Sequence, residues 1–312
     1  MLKKLILLNV LLWSLLLAAC GGAAPAAETP AEGAAAESTS AEPLVIGAIP
    51  DQDPEILQRQ FQSLASYMSE QLGVPVEYKP VTDYAASVTA FRVGDLDMVW
   101  FGGLTGVQAR LQVADAQALV QRDIDENFHS VFIATKESGI EPFEEISGLE
   151  QLKGHTFTFG SDSSTSGRLM PQYFMSQGGV TLDDFKGEPG FSGSHDATIQ
   201  LVESGSYEAG ALNESVWDSR VEAGEVDLDK VHLIWRTPPY HDYHWVARPD
   251  LNERYGEGFT DKITAAFLSL DPSVAEQKEI LDLFGTEKFI ATTNDNYAQI
   301  EAVGREIGKI ID

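Results

Sequence analysis

Cysteine is almost missing from this 312-residue chain: Cys20 stands alone, so no disulfide can form within one molecule and the fold rests on non-covalent terms. Basic residues are scarce too, 21 Lys and Arg against 48 Asp and Glu, for a formal net charge of −27. Nucleic-acid binding needs a basic face to neutralise phosphates, and that function is excluded. Long apolar runs are absent as well. The longest, 5–17, is broken by Asn9 and Ser14 and falls short of the roughly 18 residues a spanning helix requires. No repeat of roughly 20–50 residues recurs, which excludes a solenoid. A Gly-x-Ser-x-Gly nucleophile elbow is also missing, since Gly160-Ser161 and Gly193-Ser194 lack its spacing. The chain reads as a non-enzyme.

What the N-terminus does have is Lys3 and Lys4, a short apolar stretch, and small residues leading to Leu17-Ala18-Ala19-Cys20. That order is a secretory signal over 1–19. Leu-Ala-Ala-Cys resembles the lipobox of bacterial lipoproteins, which implies that Cys20 is acylated and becomes the new N-terminus. The expected location is the cell membrane, held by lipid alone on its extracytoplasmic face. Residues 20–43 are nearly all Ala, Gly, Pro, Glu, Ser and Thr and bury too little apolar surface to fold. As a flexible linker they would hold the folded part about 25 Å from the lipid.

The remaining 44–312 alternates strand and helix patterns. Strands read at 44–49, 74–78, 96–101, 118–121, 130–134, 156–159, 207–212, 231–235 and 245–247. Helices read at 54–72, 83–93, 104–113, 167–177, 196–204, 259–270, 273–284 and 294–310. Strands separated by helices imply parallel βαβ units in an α/β layered fold. The length suits two lobes, one from 44–134 plus 240–312 and the other from 135–239. Two crossings between lobes make a hinge, with the ligand in the cleft between.

The sharpest local signal is Gly160-Ser161-Asp162-Ser163-Ser164-Thr165-Ser166-Gly167, between a strand and a helix. Helix N-termini present free N–H groups and a positive dipole end, and the hydroxyls add donors, so the segment fits a tetrahedral oxyanion. The local pattern serves equally as a polar loop with one serine capping the helix.

Ser164-Thr165-Ser166-Gly167-x-Leu169-x-Pro171 is similar to the signature of phosphonate/phosphite-type substrate-binding proteins of bacterial ABC importers. The resemblance extends to Asp83-Tyr84-Ala85, to the stretch from Asp97 to Leu104, to Gly193-Ser194-His195-Asp196-Ala197 and to Ala209-Gly210-Ala211-Leu212-Asn213. It covers nearly all of 44–312. Details such as Thr237-Pro238-Pro239-Tyr240 look like a branch commonly labelled selenate-binding. The resemblance implies a two-lobed type II periplasmic binding protein with a hinged interlobe cleft. Carried over, Ser164, Thr165 and Ser166 donate to the anion, Tyr84 enters from the first lobe, and His195 donates from its ring, most strongly when protonated. His195 also fits a helix-capping or surface histidine. Phe101 departs from the tyrosine common in phosphonate binders, leaving Gly102 and Gly103 with free N–H groups and Thr105 as a replacement hydroxyl. Asp83, Asp196 and Glu214 fall near the family's pocket positions.

Tyr240-His241-Asp242-Tyr243-His244 collects residue types used for iron or zinc, but on a strand His241 and His244 would face opposite sides. Acids from Asp51 to Glu55 could line the cleft, tolerable beside an anion only if a proton is shared. The resulting expectation is a monomeric receptor with no cofactor or metal. It captures phosphonate, phosphite, phosphate or selenate by lobe closure and passes it to a permease and its ATPase. The alternative is an oxyanion-sensing lipoprotein partnering a histidine kinase; a hydrolase or metal carrier resting on His195, His241 and His244 is a third class.

Overall fold

The computed structural model describes residues 42–311. The signal 1–19, Cys20 and nearly all of the linker 20–43 lie outside the described residues. The chain begins β1 (Leu44–Ala48), α1 (Pro54–Leu72), β2 (Val76–Tyr78), α2 (Tyr84–Val93), β3 (Met98–Phe101), α3 (Gly103–Gln112) and β4 (Gln117–Arg122). It continues through β5 (Ser130–Thr135), β6 (Phe157–Phe159), α4 (Met170–Gln177), β7 (Gly190–Phe191), α5 (His195–Glu203), β8 (Ala209–Asn213), α6 (Glu214–Glu222) and β9 (Val231–Arg236). It ends with β10 (His244–Ala247), α7 (Leu251–Tyr255), α8 (Phe259–Leu268), α9 (Ala275–Phe284), β11 (Phe289–Ala291) and α10 (Ala298–Glu306). Among the described residues no helix is long and apolar enough to cross a membrane.

Two sheets result, ordered β11-β4-β10-β3-β1-β2 and β7-β6-β8-β5-β9. Parallel pairing, expected throughout, holds for β2-β1-β3 and β7-β6-β8; β10, β11 and β5 pair antiparallel, so both sheets are mixed. The segment 130–134, assigned above to the first lobe, is β5 in the second sheet, pairing with β8 and β9. Its residues are buried throughout, so it lacks the polar alternation that would mark a sheet face. The outward crossing therefore falls at 123–129. It runs beside the return segment 237–242, with Phe128 N–H on Tyr240 O at 2.9 Å and the reverse bond at 3.0 Å.

Local chemistry explains the helices that matter for the site. Pro54 opens α1, Asp53 accepts from Glu55 N–H at 2.8 Å, and Gly73 ends it at φ 73°. Its inner face buries Phe61 against Tyr78, Trp245 and Phe284, a burial that contributes about 2–3 kcal/mol. Gly106 in α3 lies against the ring of His244, which is itself stacked on Tyr297 at 3.7 Å between centroids. A methyl there would overlap a ring that has nowhere to move. Gly106→Ala should therefore cost about 1–3 kcal/mol, a drop of about 3–10 °C in Tm by calorimetry, without touching any ligand.

Candidate functional site

The segment after β6 is a helix start of unusual width. Ser164 Oγ accepts the Gly167 N–H at 2.9 Å, while Leu169 N–H reaches Ser164 O at 3.0 Å, one residue further than an α-helix allows. The turn Thr165–Leu169 is of π type and leads into α4. A helix begun this way leaves its leading N–H groups, those of Thr165 and Ser166, without intrahelical partners. Close approach is what the glycines provide. A Cβ on Gly167 would lie 3.0 Å from Ser164 Oγ, 3.1 Å from Gly160 Cα and 3.2 Å from His195 Cε1.

A second helix start comes from the other sheet. Gly102 caps α3 without a side chain; Gly103 N–H donates to Asp242 Oδ1 at 2.8 Å and Leu104 N–H to Thr165 Oγ1 at 2.9 Å. Thr165 thus bridges the two sheets, and its hydroxyl also lies against Asp242. Thr105 donates its hydroxyl to Gly102 O at 3.1 Å, so the proton expected for a ligand closes the helix start. Phe101 is turned away: its ring packs edge-on against Phe91 of α2 at 5.8 Å, in the core.

Asp242 forms the third side. It is fully buried and its Oδ2 has no hydrogen-bond partner. Burial pushes its pKa up from 3.8 to about 7, against the lowering effects of the Gly103 N–H and the Thr165 hydroxyl. Tyr84, first residue of α2, also buries an unpartnered hydroxyl, held well above its ordinary pKa by burial and by Asp51. An acceptor and a hydroxyl without partners, beside three buried hydroxyl residues and two helix N-termini, complement a small group that offers several acceptor oxygens and one O–H.

A closed hydrogen-bond network bounds the fourth side. Tyr243 Oη donates to Asp51 Oδ2 at 2.7 Å, accepts from Asn213 Nδ2 at 3.0 Å and lies 3.3 Å from His195 Nε2. Asn213 N–H donates to His195 Nδ1 at 3.3 Å, which leaves the ring proton on Nε2. Burial lowers the His195 pKa to about 4, so the ring is neutral near pH 7 and the charged donor expected above does not form. Burial likewise raises Asp51 to about 6, opposed by the Tyr243 hydrogen bond.

The other acids expected near the pocket are engaged elsewhere. Asp196 takes Arg220 Nε at 2.7 Å and Asp53 N–H at 2.8 Å, joining the sheets at the rim of the cleft. Asp83 caps α2, and Glu214 pairs with Arg236 at 2.6 Å. Residues 240–243 are not a strand, which voids the opposite-faces argument: both His241 and His244 rest on the Tyr297 ring. No group of three potential metal ligands occurs among the described residues. Sequence reasoning missed Asp242, Tyr243 and Asn213; the acid-bearing 240–244 motif was the available signal for the first two.

A family model described as ABC transporter, phosphonate, periplasmic substrate-binding protein matches residues 46–297. The chain is 49% identical over 268 residues to the Prochlorococcus marinus (strain MIT 9301) protein named "Probable ABC transporter phosphite binding protein PhnD1", covering 86% of this chain and 90% of that one. The structure of PhnD1 from that organism in complex with methylphosphonate matches with a TM-score of 0.84, over 86% of this chain and 99% of that chain. The "Phosphonates-binding periplasmic protein" of Escherichia coli (strain K12) is 26% identical over 255 residues, 80% of this chain and 72% of its own length.

Proposed function

This chain belongs to the family of ABC transporter phosphonate periplasmic substrate-binding proteins, and from that premise we propose that it captures a small tetrahedral oxyanion carrying one proton, phosphite or a short alkylphosphonate first among them. The fold is that of a two-lobed type II periplasmic binding protein. The observation that carries the ligand reading is Asp242, whose buried, unpartnered Oδ2 stands between two helix N-termini. Hydroxyls of Ser164, Thr165 and Tyr84 and the leading N–H groups of the turn before α4 donate to the anion. Asp242 accepts the anion's own proton, or shares one. Sulfate and selenate carry no proton near pH 7 and bring bare charge against a carboxylate, so they fit less well. Phosphate satisfies the proton requirement but adds a fourth oxygen near Asp51. Calorimetric titration tests this reading: saturable binding of phosphite and methylphosphonate, with sulfate and selenate at least about tenfold weaker, is expected. Equal binding of all four would remove the role given to Asp242.

Closure of the lobes about 123–129 and 237–242 delivers the ligand enclosed, and a permease with its ATPase takes it inward. The receptor is a monomer tethered through Cys20 on the extracytoplasmic face. Cys20→Ser should abolish acylation and release the processed protein from membranes, read by fractionation, while ligand affinity stays the same. Retention of the processed variant on membranes would refute the anchor.

A further inference from the structure

Among the described residues two arginines are buried, and their charges are met differently. Arg122 is paired: its Nε and Nη2 donate to the carboxylate of Asp125 at 2.8 and 2.7 Å, and Nη1 donates to Phe284 O. Arg168, 5% exposed, follows Gly167 in the turn that opens α4, yet its Nε and Nη1 are buried with no hydrogen-bond partner. The guanidinium lies instead on the Phe159 ring, 4.2 Å from its centroid, with Phe191 at 5.3 Å. Ring faces attract a cation but bring no opposite charge. The carboxylate beside it is Asp162, 3.6 Å from Nε and beyond hydrogen-bond reach.

Asp162 is held from across the cleft. Lys309, whose backbone carbonyl accepts from Gln108 Nε2 of α3 at 2.9 Å, places its Nζ 2.6 Å from Asp162 Oδ1. Asp162 follows β6, so this pair joins the two sheets, as the Thr165–Leu104 bond does. One carboxylate oxygen therefore meets two cations, closely the one from the other sheet and loosely the one on its own. A buried charge without a counter-ion is costly, and an anion held by the neighbouring Ser164–Ser166 turn is the charge that complements it. We propose that Arg168 is the counter-charge of the anion site and that Asp162 changes partner as the lobes move. With the lobes apart it neutralises Arg168; on closure Lys309 takes it and leaves the guanidinium to the ligand. This proposal rests on the oxyanion reading above and adds a source of affinity that acts through the field, not by contact, and grows as the cleft shuts. Asp162 is 56% exposed, so its own pull is screened and amounts to a few-fold in affinity.

The test is calorimetric titration of the purified protein with methylphosphonate, with the Tm of each variant read without ligand. Arg168→Met should bind at least about fivefold more weakly and melt no lower than the parent, because a buried charge without a counter-ion has gone. Arg168→Lys keeps the charge and should bind more tightly than Arg168→Met. Lys309→Met should weaken binding about threefold by returning Asp162 to Arg168, and Asp162→Asn should strengthen it about threefold. The variant carrying both changes should bind at least as tightly as the parent. A simple clip between the lobes gives the opposite sign for Asp162→Asn, since loss of either partner then weakens binding. Weaker binding in Asp162→Asn, no rescue in the double variant, or unchanged affinity in folded Arg168→Met overturns the proposal. Asp162→Asn, at an exposed position, decides the matter even where Arg168→Met fails to fold. A parent that does not bind methylphosphonate fails the oxyanion reading itself, a result separable from failure of the partner exchange.

Discussion

Asp242→Asn is expected to weaken methylphosphonate binding by about 10- to 150-fold and to bring sulfate or selenate closer to it in affinity. The variant keeps the shape and retains an oxygen for the Gly103 N–H, which lies 2.8 Å from Asp242 Oδ1 in the parent. At the other position an amide nitrogen replaces Oδ2, so a protonated ligand oxygen meets a donor where it met an acceptor. Losing one charge-assisted hydrogen bond, about 1.5–3 kcal/mol, gives that range. An unprotonated dianion gains a donor and loses a repulsive charge, which reverses the preference. Calorimetric titration of parent and variant against methylphosphonate and sulfate reads the change directly.

The same substitution should stabilise the protein without ligand. Burial raises the folded pKa of Asp242 from 3.8 to about 7, so the folded form holds its proton over a range where the unfolded chain has lost it. Stability from this group is full below about pH 4 and is lost as pH rises to about 7. The loss is on the order of a few kcal/mol, because each pKa unit is worth about 1.4 kcal/mol. An asparagine at this position escapes that cost: the variant's advantage should grow between about pH 4 and 7 and then level off. Asp51 acts in the same direction up to about pH 6, and His195, lowered to about 4, in the opposite one. Both are present in parent and variant, so the difference between the two isolates Asp242.

Thr165→Val carries the second large effect. The threonine hydroxyl receives the Leu104 N–H at 2.9 Å across the two sheets, and its own proton, which lies against Asp242, turns to the anion in the proposed complex. Valine preserves the volume and removes both bonds, leaving a buried N–H unpartnered, which costs about 1–3 kcal/mol in addition to the lost ligand bond. Affinity should fall by at least about 10- to 150-fold. Because the Leu104 bond exists only when the lobes meet, the closed form should also lose ground, and small-angle scattering should report a larger radius of gyration than the parent at equal ligand occupancy. Ser166→Ala, which leaves that bond in place, should weaken binding without changing the radius. Equal radii for Thr165→Val and the parent would show that Thr165 has no part in closure.

Legibility from sequence followed the range over which a feature is encoded. The helix start at 164–169 was readable because Ser164, the Gly167 N–H it accepts and the hydroxyl run all sit within one short stretch of chain. The helices of the first lobe were readable for the same reason: Asp53, Pro54 and Gly73 bound α1 locally. Asp242 was not, because its partner Gly103 is 139 residues away, and Tyr243 is 192 residues from Asp51. A cluster of Tyr, His and Asp in sequence suggests a metal; only the fold sends Asp242 into the site and both histidines onto Tyr297. Phe101 illustrates strand parity: it follows Trp100, and since neighbours point to opposite faces, Trp100 reaches Tyr243 while Phe101 turns to Phe91. His195 was read as donating most strongly when protonated, but burial outweighs the attraction of neighbouring Asp196 and keeps the ring neutral near pH 7.

The shared proton is the centre of this account, and proton exchange on binding measures it. Calorimetric titration with methylphosphonate in buffers of differing ionisation enthalpy gives the number of protons taken up. At about pH 8 both Asp242, with its pKa near 7, and the ligand are largely ionised, while the complex holds one proton between them. Uptake approaching one proton per ligand is predicted for the parent, turning to release toward about pH 5, with no uptake at about pH 8 in Asp242→Asn. Zero exchange in the parent at that higher pH, or the same exchange in parent and variant, would contradict the account.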